Sequence, residues 1–291
     1  MRPKQWTKNG LLFAGLVFSG YMREPGRWVA AIAGFAVFCA LSGVVYIYND
    51  LRDVESDRLH PRKRRRPIAS GNLPVGAAWA GGLAVASAGL VSAFALNRGF
   101  GLVATTYFVL MLLYSAVLKH MVVLDLLVVA VGFVIRAIAG VRAIELPGES
   151  IPVTPWFLVC IMFGAFFIVI CKRRHELLLL TGDAAGHRPV LEYYSEPFLD
   201  QMVSLATAGT VVSYALYAIL GVQSGPGPRP AHPEWLVYTV PIVLYGVCRY
   251  LYLVYRRDEG GAPESLLLQD RAILATVLTW IAFVTVIFYV R

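Results

Sequence analysis

Residues 28–57 read W-V-A-A-I-A-G-F-A-V-F-C-A-L-S-G-V-V-Y-I-Y-N-D-L-R-D-V-E-S-D, and this stretch decides the fold. From Trp28 to Tyr48 there is no charge, and about 20 such residues in a helix cross a hydrocarbon core about 30 Å thick. The apolar run then ends abruptly in Asn49, Asp50, Asp53 and Asp57, and a strongly basic stretch, Arg58 to Arg66, follows directly. At about 100° per residue a helix would carry Asn49, Asp50, Asp53 and Asp57 on one face. A membrane-spanning helix therefore delivers three carboxylates to a surface.

The rest of the chain repeats the apolar theme. Of its 291 residues 58% are hydrophobic, and the mean hydropathy is +0.64. Nine apolar segments are expected, roughly at 9–22, 28–48, 74–96, 99–118, 122–143, 154–171, 200–222, 234–255 and 271–290. The predicted fold class is all-α, a polytopic membrane bundle of nine transmembrane helices. A transmembrane β-barrel would need alternating segments of about ten residues, and these segments do not alternate. One catalytic domain over 1–291 is expected, with polar motif loops at 49–73 and 172–199. The first segment is short: at 1.5 Å per residue it reaches about 21 Å. No small-x-small cleavage site follows it, so it reads as retained rather than as a leader. Cys39, Cys160, Cys171 and Cys248 lie in or beside apolar segments without metal-ligand spacing and read as free thiols.

The net charge of +8 raises the question of nucleic acid. The excess sits in loops between spans, where a positive-inside bias and anionic lipid or substrate explain it better, so no nucleic-acid partner is expected. With the N-terminus inside and nine crossings, eighteen Lys and Arg fall on the inner side and six on the outer, with Arg136 and Arg249 inside spans. That asymmetry places the aspartate face in the cytoplasm, in a multi-pass protein of the cell membrane. The outer loops, Glu145–Pro152 and Ser224–Pro233, are Pro/Gly-rich connectors.

Three carboxylates on one helical face repel one another unless a cation compensates them. Hard oxygen ligands suit Mg²⁺, which uses one or two carboxylates and lets substrate phosphates complete its octahedron. Asp50, Asp53 and Asp57 are the expected metal ligands and, with Asn49, the expected catalytic set. In the basic loop, Arg58, Lys63, Arg64 and Arg66 either anchor the next span to anionic headgroups or grip phosphate. Pro61, Pro67 and Gly71 punctuate the loop and give it a defined shape, and arginine forks suit bidentate phosphate contacts.

The pattern N-D-x-x-D-x-x-x-D followed by R-P-I-A-S-G resembles the first aspartate-rich motif of the UbiA superfamily of intramembrane prenyltransferases. That resemblance covers essentially the whole chain and implies nine transmembrane helices. It also implies a second aspartate-rich motif after the sixth span, which with the first binds a prenyl diphosphate through Mg²⁺. Here the chain departs from the pattern. The corresponding loop reads C-K-R-R-H-E-L-L-L-L-T-G-D, Cys171 to Asp183, with only Glu176 and Asp183 as carboxylates.

The departure is similar to one branch, the decaprenyl-phosphate phosphoribosyltransferases. Residues carrying the likeness are R-P-K-Q-W-T-K-N (Arg2–Asn9), D-R-x-H-P-x-K-R-x-R-P (Asp57–Pro67), Y-S-x-x-L-K (Tyr114–Lys119), G-F-V-I-R-A-I-A-G (Gly132–Gly140) and C-K-R-R-x-E-L (Cys171–Leu177). The branch implies 5-phosphoribosyl diphosphate as donor and a polyprenyl phosphate lipid as acceptor. Its products are polyprenyl-phosphoryl-5-phosphoribose and diphosphate, used for an arabinose-containing envelope polymer. It also favours substrate contacts for Lys8 and Asn9, where the residues alone read equally as a surface anchor beside Trp6.

The remaining candidates are cationic or buried. Tyr114, Lys119, Lys172, Arg173 and Glu176 lie at the inner mouth, where Lys119 can also snorkel. Asp125, Gly132 and Arg136 share a face of the fifth long segment. Arg136 is either a structural partner to a carboxylate or carbonyls, or a cavity residue holding a substrate phosphate. His60, His175, His187, Tyr193 and Tyr194 read as loop residues. Two rival readings stand beside the transferase: a prenyltransferase acting on an aromatic or lipid acceptor, and a transporter with a divalent-cation site. A homo-oligomer is compatible with all of them.

Overall fold

The computed structural model describes residues 3–59, 63–179, 189–221, 232–257, 260–261, 266 and 269–290. His60, Pro61, Asp183 and His187, and most of the connector at 224–233, lie outside the described residues. Among the described residues there is no strand. The helices are α1 (Leu12–Phe18), α2 (Pro25–Arg52), α3 (Val54–Leu59), α4 (Val75–Leu96), α5 (Arg98–Ala116), α6 (Leu124–Ile144), α7 (Pro155–Leu179), α8 (Glu196–Leu216), α9 (Val240–Arg257) and α10 (Arg271–Tyr289). Eight of them, α2 and α4 to α10, are long and apolar enough to cross a membrane. The protein is all-α and multi-pass.

The first apolar segment is built differently from the other eight. A 3-10 stretch, Pro3–Leu11, leads into the seven-residue α1. Close packing explains why so short a helix suffices. Leu12 and Leu16 are wholly buried. A Cβ on Gly15 would fall 2.6 Å from the backbone of Gly140 and Val141, and one on Gly140 would strike the Leu12 carbonyl oxygen. Only paired glycines allow that approach, as at small-residue crossings of membrane helices generally.

The described chain sorts into two compact units, each discontinuous in sequence. The first comprises Met1–Val17, Glu24–Lys119 and Ile135–Ser150. Within it α2, α4 and α5 pack on one another. Ala78, Gly82, Ala86, Gly89 and Ala93 form the buried stripe of α4, and Gly89 faces Leu41. Small residues at three- and four-residue spacing let lipid-embedded helices approach without a hydrophobic drive. Phe38 fills the centre between Phe100 and Tyr107, with ring centroids 5.7 and 5.0 Å away.

The second unit comprises Phe18–Arg23, His120–Val134 and Ile151–Arg291. Here α7 packs along α8, α8 on α9, and α9 on α10. A polar clasp ties three of these helices together. Arg174 on α7 donates from Nε to Asp200 (2.6 Å) and from Nη2 to Glu196 (2.7 Å), both on α8. The Tyr255 hydroxyl of α9 donates to the same Asp200 oxygen, and its ring lies 4.4 Å below the guanidinium. Ahead of α10, Asp270 accepts from the Ile273 amide as a helix cap and pairs with Arg249 at 2.7 Å. The Arg249 hydrogen bond and the backbone amides hold its carboxyl down at about 2.

The glycine crossing makes a direct test. Gly140→Ala should disrupt the docking of α1 and destabilise the protein by about 1–3 kcal/mol or more, as overpacking does. Thermal unfolding in detergent checks it, with Gly10→Ala, where the added methyl meets open space, as the neutral comparison.

Candidate active site

The acidic run is not one uninterrupted helix. α2 ends at Arg52, Asp53 caps it with φ −96° and ψ 12°, and α3 resumes at Val54. Four-residue backbone bonds continue across the break, from Asp53 N–H to Asn49 O (3.0 Å) and from Asp57 N–H to Asp53 O (2.8 Å). The carboxylates thus keep nearly helical spacing although the axis is broken between them.

Each carboxylate has a cation from the chain. Arg66 Nη1 lies 3.1 Å from Asp50 Oδ1 and 2.5 Å from Asp57 Oδ2, so one nitrogen bridges two aspartates. Asp57 is 2% exposed, where a lone carboxylate would be costly. Lys119 Nζ reaches both oxygens of Asp53, at 2.9 and 3.2 Å, and the Asn49 amide donates to Asp53 Oδ2 at 2.9 Å. All of these groups belong to the first unit.

The loop after α3 explains how Arg66 comes to this position. The Ser70 amide closes onto the Arg66 carbonyl and the Leu73 amide onto that of Pro67. Ile68 and Ala69 bury their side chains, and Arg58 Nε donates to the Ala69 carbonyl at 3.3 Å. Gly71 takes φ +82°, which favours glycine. The R-P-I-A-S-G sequence is thus a shaped turn that presents its first residue to the aspartates. Lys63, half-buried, and Arg64, exposed, lie on the short 3-10 turn before it.

Among the described residues no three His, Cys, Asp or Glu side chains form a ready metal-binding group. Magnesium completed by substrate phosphates needs only one or two carboxylates. Asp50 and Asp57 converge on a single cationic atom, Arg66 Nη1, which stands where a metal ion would be stabilised. In donor chemistry the pair fits a hard divalent cation, provided that Arg66 moves aside.

The other candidates divide between the two units. Asn9, expected at a substrate, is fully buried in the first. Its amide donates to Ser42 Oγ at 3.2 Å and Cys39 Sγ at 3.3 Å. Its oxygen accepts from Arg136 Nε at 2.9 Å. Arg136 also donates from Nη2 to the Tyr107 hydroxyl at 2.6 Å and lies 4.7 Å from that ring. Arg136 thus meets, among other groups, an amide, a phenol and a π face. Lys8 is half-buried in the 3-10 stretch, and Tyr114 is half-buried near the end of α5.

In the second unit Asp125 is fully buried at the start of α6. Arg173 Nη2 stands 2.9 Å from Asp125 Oδ2, and its Nη1 donates to Glu176 at 2.5 Å. Lys172, beside it, is half-buried. The sequence reading overlooked Tyr194, whose hydroxyl donates to Asp125 at 2.6 Å. Burial, reinforced by the Asp125 carboxylate, pushes this phenol above its ordinary range and keeps it a donor. A signal for its burial was present. Tyr194 precedes the Ser195 cap of α8, and a hydrophobic residue in that place commonly packs on the fourth helical residue, here Leu199.

Comparison with known proteins decides the family. The model of the UbiA prenyltransferase family matches residues 11–273. The chain belongs to the UbiA prenyltransferase family. It is 36% identical to a Mycolicibacterium smegmatis protein named decaprenyl-phosphate phosphoribosyltransferase, over 99% of this chain and 91% of that one. It is 34% identical to the protein of that name from Corynebacterium glutamicum, over 100% and 86%. In structure it resembles a UbiA homolog from Archaeoglobus fulgidus bound to DMAPP and Mg²⁺. The TM-score is 0.71 at 19% identity, with 100% of this chain and 98% of that one covered. This UbiA-family chain thus has the membrane fold of its relatives from end to end.

The Arg66 bridge generates a test that needs no substrate. Arg66→Gln leaves Asp57 buried without its ion partner, a change that costs about 3–5 kcal/mol for buried pairs. The variant should melt well below the parent in EDTA and regain most of the difference in millimolar MgCl₂. Equal melting in both buffers would refute the reading of Arg66 as a stand-in cation.

Proposed function

We propose that this protein transfers 5-phosphoribose from 5-phosphoribosyl 1-diphosphate to a polyprenyl phosphate, decaprenyl phosphate by analogy with the relatives named above, releasing diphosphate. The supporting observation is the end-to-end likeness to the two decaprenyl-phosphate phosphoribosyltransferases. The charge pattern agrees. Donor and acceptor together bring a diphosphate, a 5-phosphate and a lipid phosphate, and the chain meets them with arginines and lysines rather than with a second aspartate-rich motif. The product would feed the assembly of an arabinose-containing envelope polymer.

In this reading Asp50, Asp53 and Asp57 hold Mg²⁺, with Asn49 completing the polar shell. When bound, Mg²⁺ would act as a Lewis acid and template for the leaving diphosphate. Arg66 and Lys119, released from the aspartates, take phosphate oxygens, and Arg58, Lys63 and Arg64 add charge from the same loop. Arg173, Lys172 and Glu176 belong to the proposed substrate-binding residues as well. Lys8, Tyr114, Asp125 and Arg136 complete the proposed set, the last with Asn9 as a buried support. The acceptor phosphate is already anionic at neutral pH, so no strong general base is required. Rate enhancement then comes from positioning and electrostatic stabilisation as positive charge develops at C1. Bond cleavage at an anomeric carbon has this oxocarbenium character in glycoside hydrolysis as well.

The family match also favours a second reading, prenyl transfer from a prenyl diphosphate. Purified protein with Mg²⁺, polyprenyl phosphate and labelled phosphoribosyl diphosphate should yield a labelled lipid. Asp50→Ala, Asp53→Ala and Asp57→Ala should each reduce it by at least about 100-fold, the scale of losing an electrostatic stabiliser. Label entering lipid only from prenyl diphosphate would establish the rival. In a chain freed of native cysteines, Glu55→Cys should react with an impermeant maleimide from the cytoplasmic side and Ser150→Cys from the outer side, as the charge asymmetry requires.

A further inference from the structure

Val123 is the sole non-glycine residue with positive φ among the described residues, at +68°. For a β-branched side chain that conformation is strained and persists only where its surroundings enforce it. The enforcing contact is Tyr194: the Val123 amide donates to the phenolic oxygen at 2.7 Å. The same oxygen donates its own proton to Asp125 Oδ1 at 2.6 Å. Both hydrogen-bonding capacities of the hydroxyl are therefore directed. Tyr194 and Asp125 are 6% and 0% exposed, so no solvent competes for them.

Asp125 passes this order to Arg173, 4% exposed, whose Nη2 lies 2.9 Å from Oδ2. The contact is one of charge without hydrogen-bond alignment, because Oδ2 accepts no bond among the described residues. The Arg173 Nε proton likewise has no partner among them, although it is buried. Glu176 holds the remaining edge through Nη1, and its side chain is 30% exposed. One end of the guanidinium is thus fixed by a buried carboxylate. The other is held by a partner that solvent reaches and a substrate oxygen can replace. A guanidinium with an unmatched N–H and an exchangeable edge is suited to an incoming phosphate.

We propose that Tyr194 is a positioning residue for the phosphoribosyl donor: through Asp125 it fixes the Arg173 guanidinium that takes a donor phosphate. The assignment rests on the transferase reading above. Tyr194 touches no substrate in it. It acts by locking Asp125 in one orientation, with the strained turn at Val123 as the price of that lock.

The test is a double-mutant cycle in the labelled-lipid assay. Tyr194→Phe keeps the ring and its stacking on Phe198 but removes the hydroxyl. The variant should raise KM for phosphoribosyl diphosphate about tenfold while kcat and the lipid KM move less than about twofold. Added to Arg173→Gln it should have no further effect, since a residue acting through another is non-additive with it. Asp125→Asn, which keeps an oxygen for Tyr194 but loses the charge on Arg173, should raise the donor KM in the same way. It takes the place of Tyr194→Phe in the cycle if that variant does not fold. Multiplicative effects of the two substitutions would overturn the proposal. So would a parallel decline of kcat, both KM values and the melting temperature, which marks a merely structural tyrosine. A wild-type protein that labels no lipid would refute the transferase reading itself and this proposal with it, an outcome distinguishable because the parent, not the variant, is inactive.

Discussion

Arg66 shared between Asp50 and Asp57 is the interaction around which the polar end of the first unit is built. Carboxylates three and seven residues apart on nearly helical backbone cannot all stay ionised beside one another without cations close at hand. Burying Asp57 sharpens the requirement, since water cannot screen it. The compensating charge must come from a distant stretch of chain, so the loop of residues 63–73 folds back to deliver it. That loop closes on its own carbonyls, buries Ile68 and Ala69, and turns at Gly71. Lys119 arrives at Asp53 from the end of α5 in answer to the same need. Electrostatics therefore dictates the shape of the loop, and the loop in turn leaves its remaining cations clustered at the same surface.

The same constraint governs the polar groups deeper in the helices. Arg136 cannot be left alone in an apolar interior, and it reaches two other segments: Asn9 in the N-terminal stretch and Tyr107 on α5. Asn9 then uses its amide on Ser42 and Cys39 of α2. One costly charge thereby specifies how the N-terminal stretch, α2, α5 and the second half of α6 meet. Removing the arginine would expose the requirement from the other side, because Asn9 and Tyr107 would each lose a buried partner.

Most of the architecture was legible because lipid demands simple patterns. The apolar segments marked in the chain hold the helices, but α7 runs on to Leu179, past the expected end at 171, so Lys172, Arg173 and Glu176 stand on a helix and not in the expected loop. The first segment was harder. Its charge asymmetry argued for a crossing and its shortness against one, and the structure makes it a 3-10 stretch and a short helix fixed by Gly15 against Gly140. A glycine pair more than a hundred residues apart leaves no periodic trace. Asp50, Asp53 and Asp57 stood out as a cluster, but among Arg58, Lys63, Arg64 and Arg66 nothing in composition singled out Arg66. Its partnership depends on the turn geometry that follows it. Tyr194 was passed over as a loop residue because its contacts, Val123 and Asp125, come from a remote turn, although its place before the Ser195 cap pointed inward.

Arg173 and Arg174 show how far neighbouring identical residues can diverge. About 100° apart on α7, they face different neighbours. Arg174 meets Asp200, Glu196 and the Tyr255 ring, a set spanning α8 and α9 that occupies both Nε and Nη2 and one face of the plane. These contacts suit a clasp, because each is with another part of the fold. Arg173 meets Asp125 at one end and the more accessible Glu176 at the other, and its Nε proton is unmatched among the described residues. Charge alone does not separate the two, nor does burial, since both are nearly inaccessible. What separates them is the Nε proton, committed to Asp200 in Arg174 and unmatched among the described residues in Arg173. A guanidinium that has committed its donors inward cannot be recruited by a ligand without unfastening helices, whereas one with a spare donor and a replaceable carboxylate can. By that criterion the proposed functional role goes to the first arginine of the K-R-R sequence, while the second ties α7, α8 and α9 together.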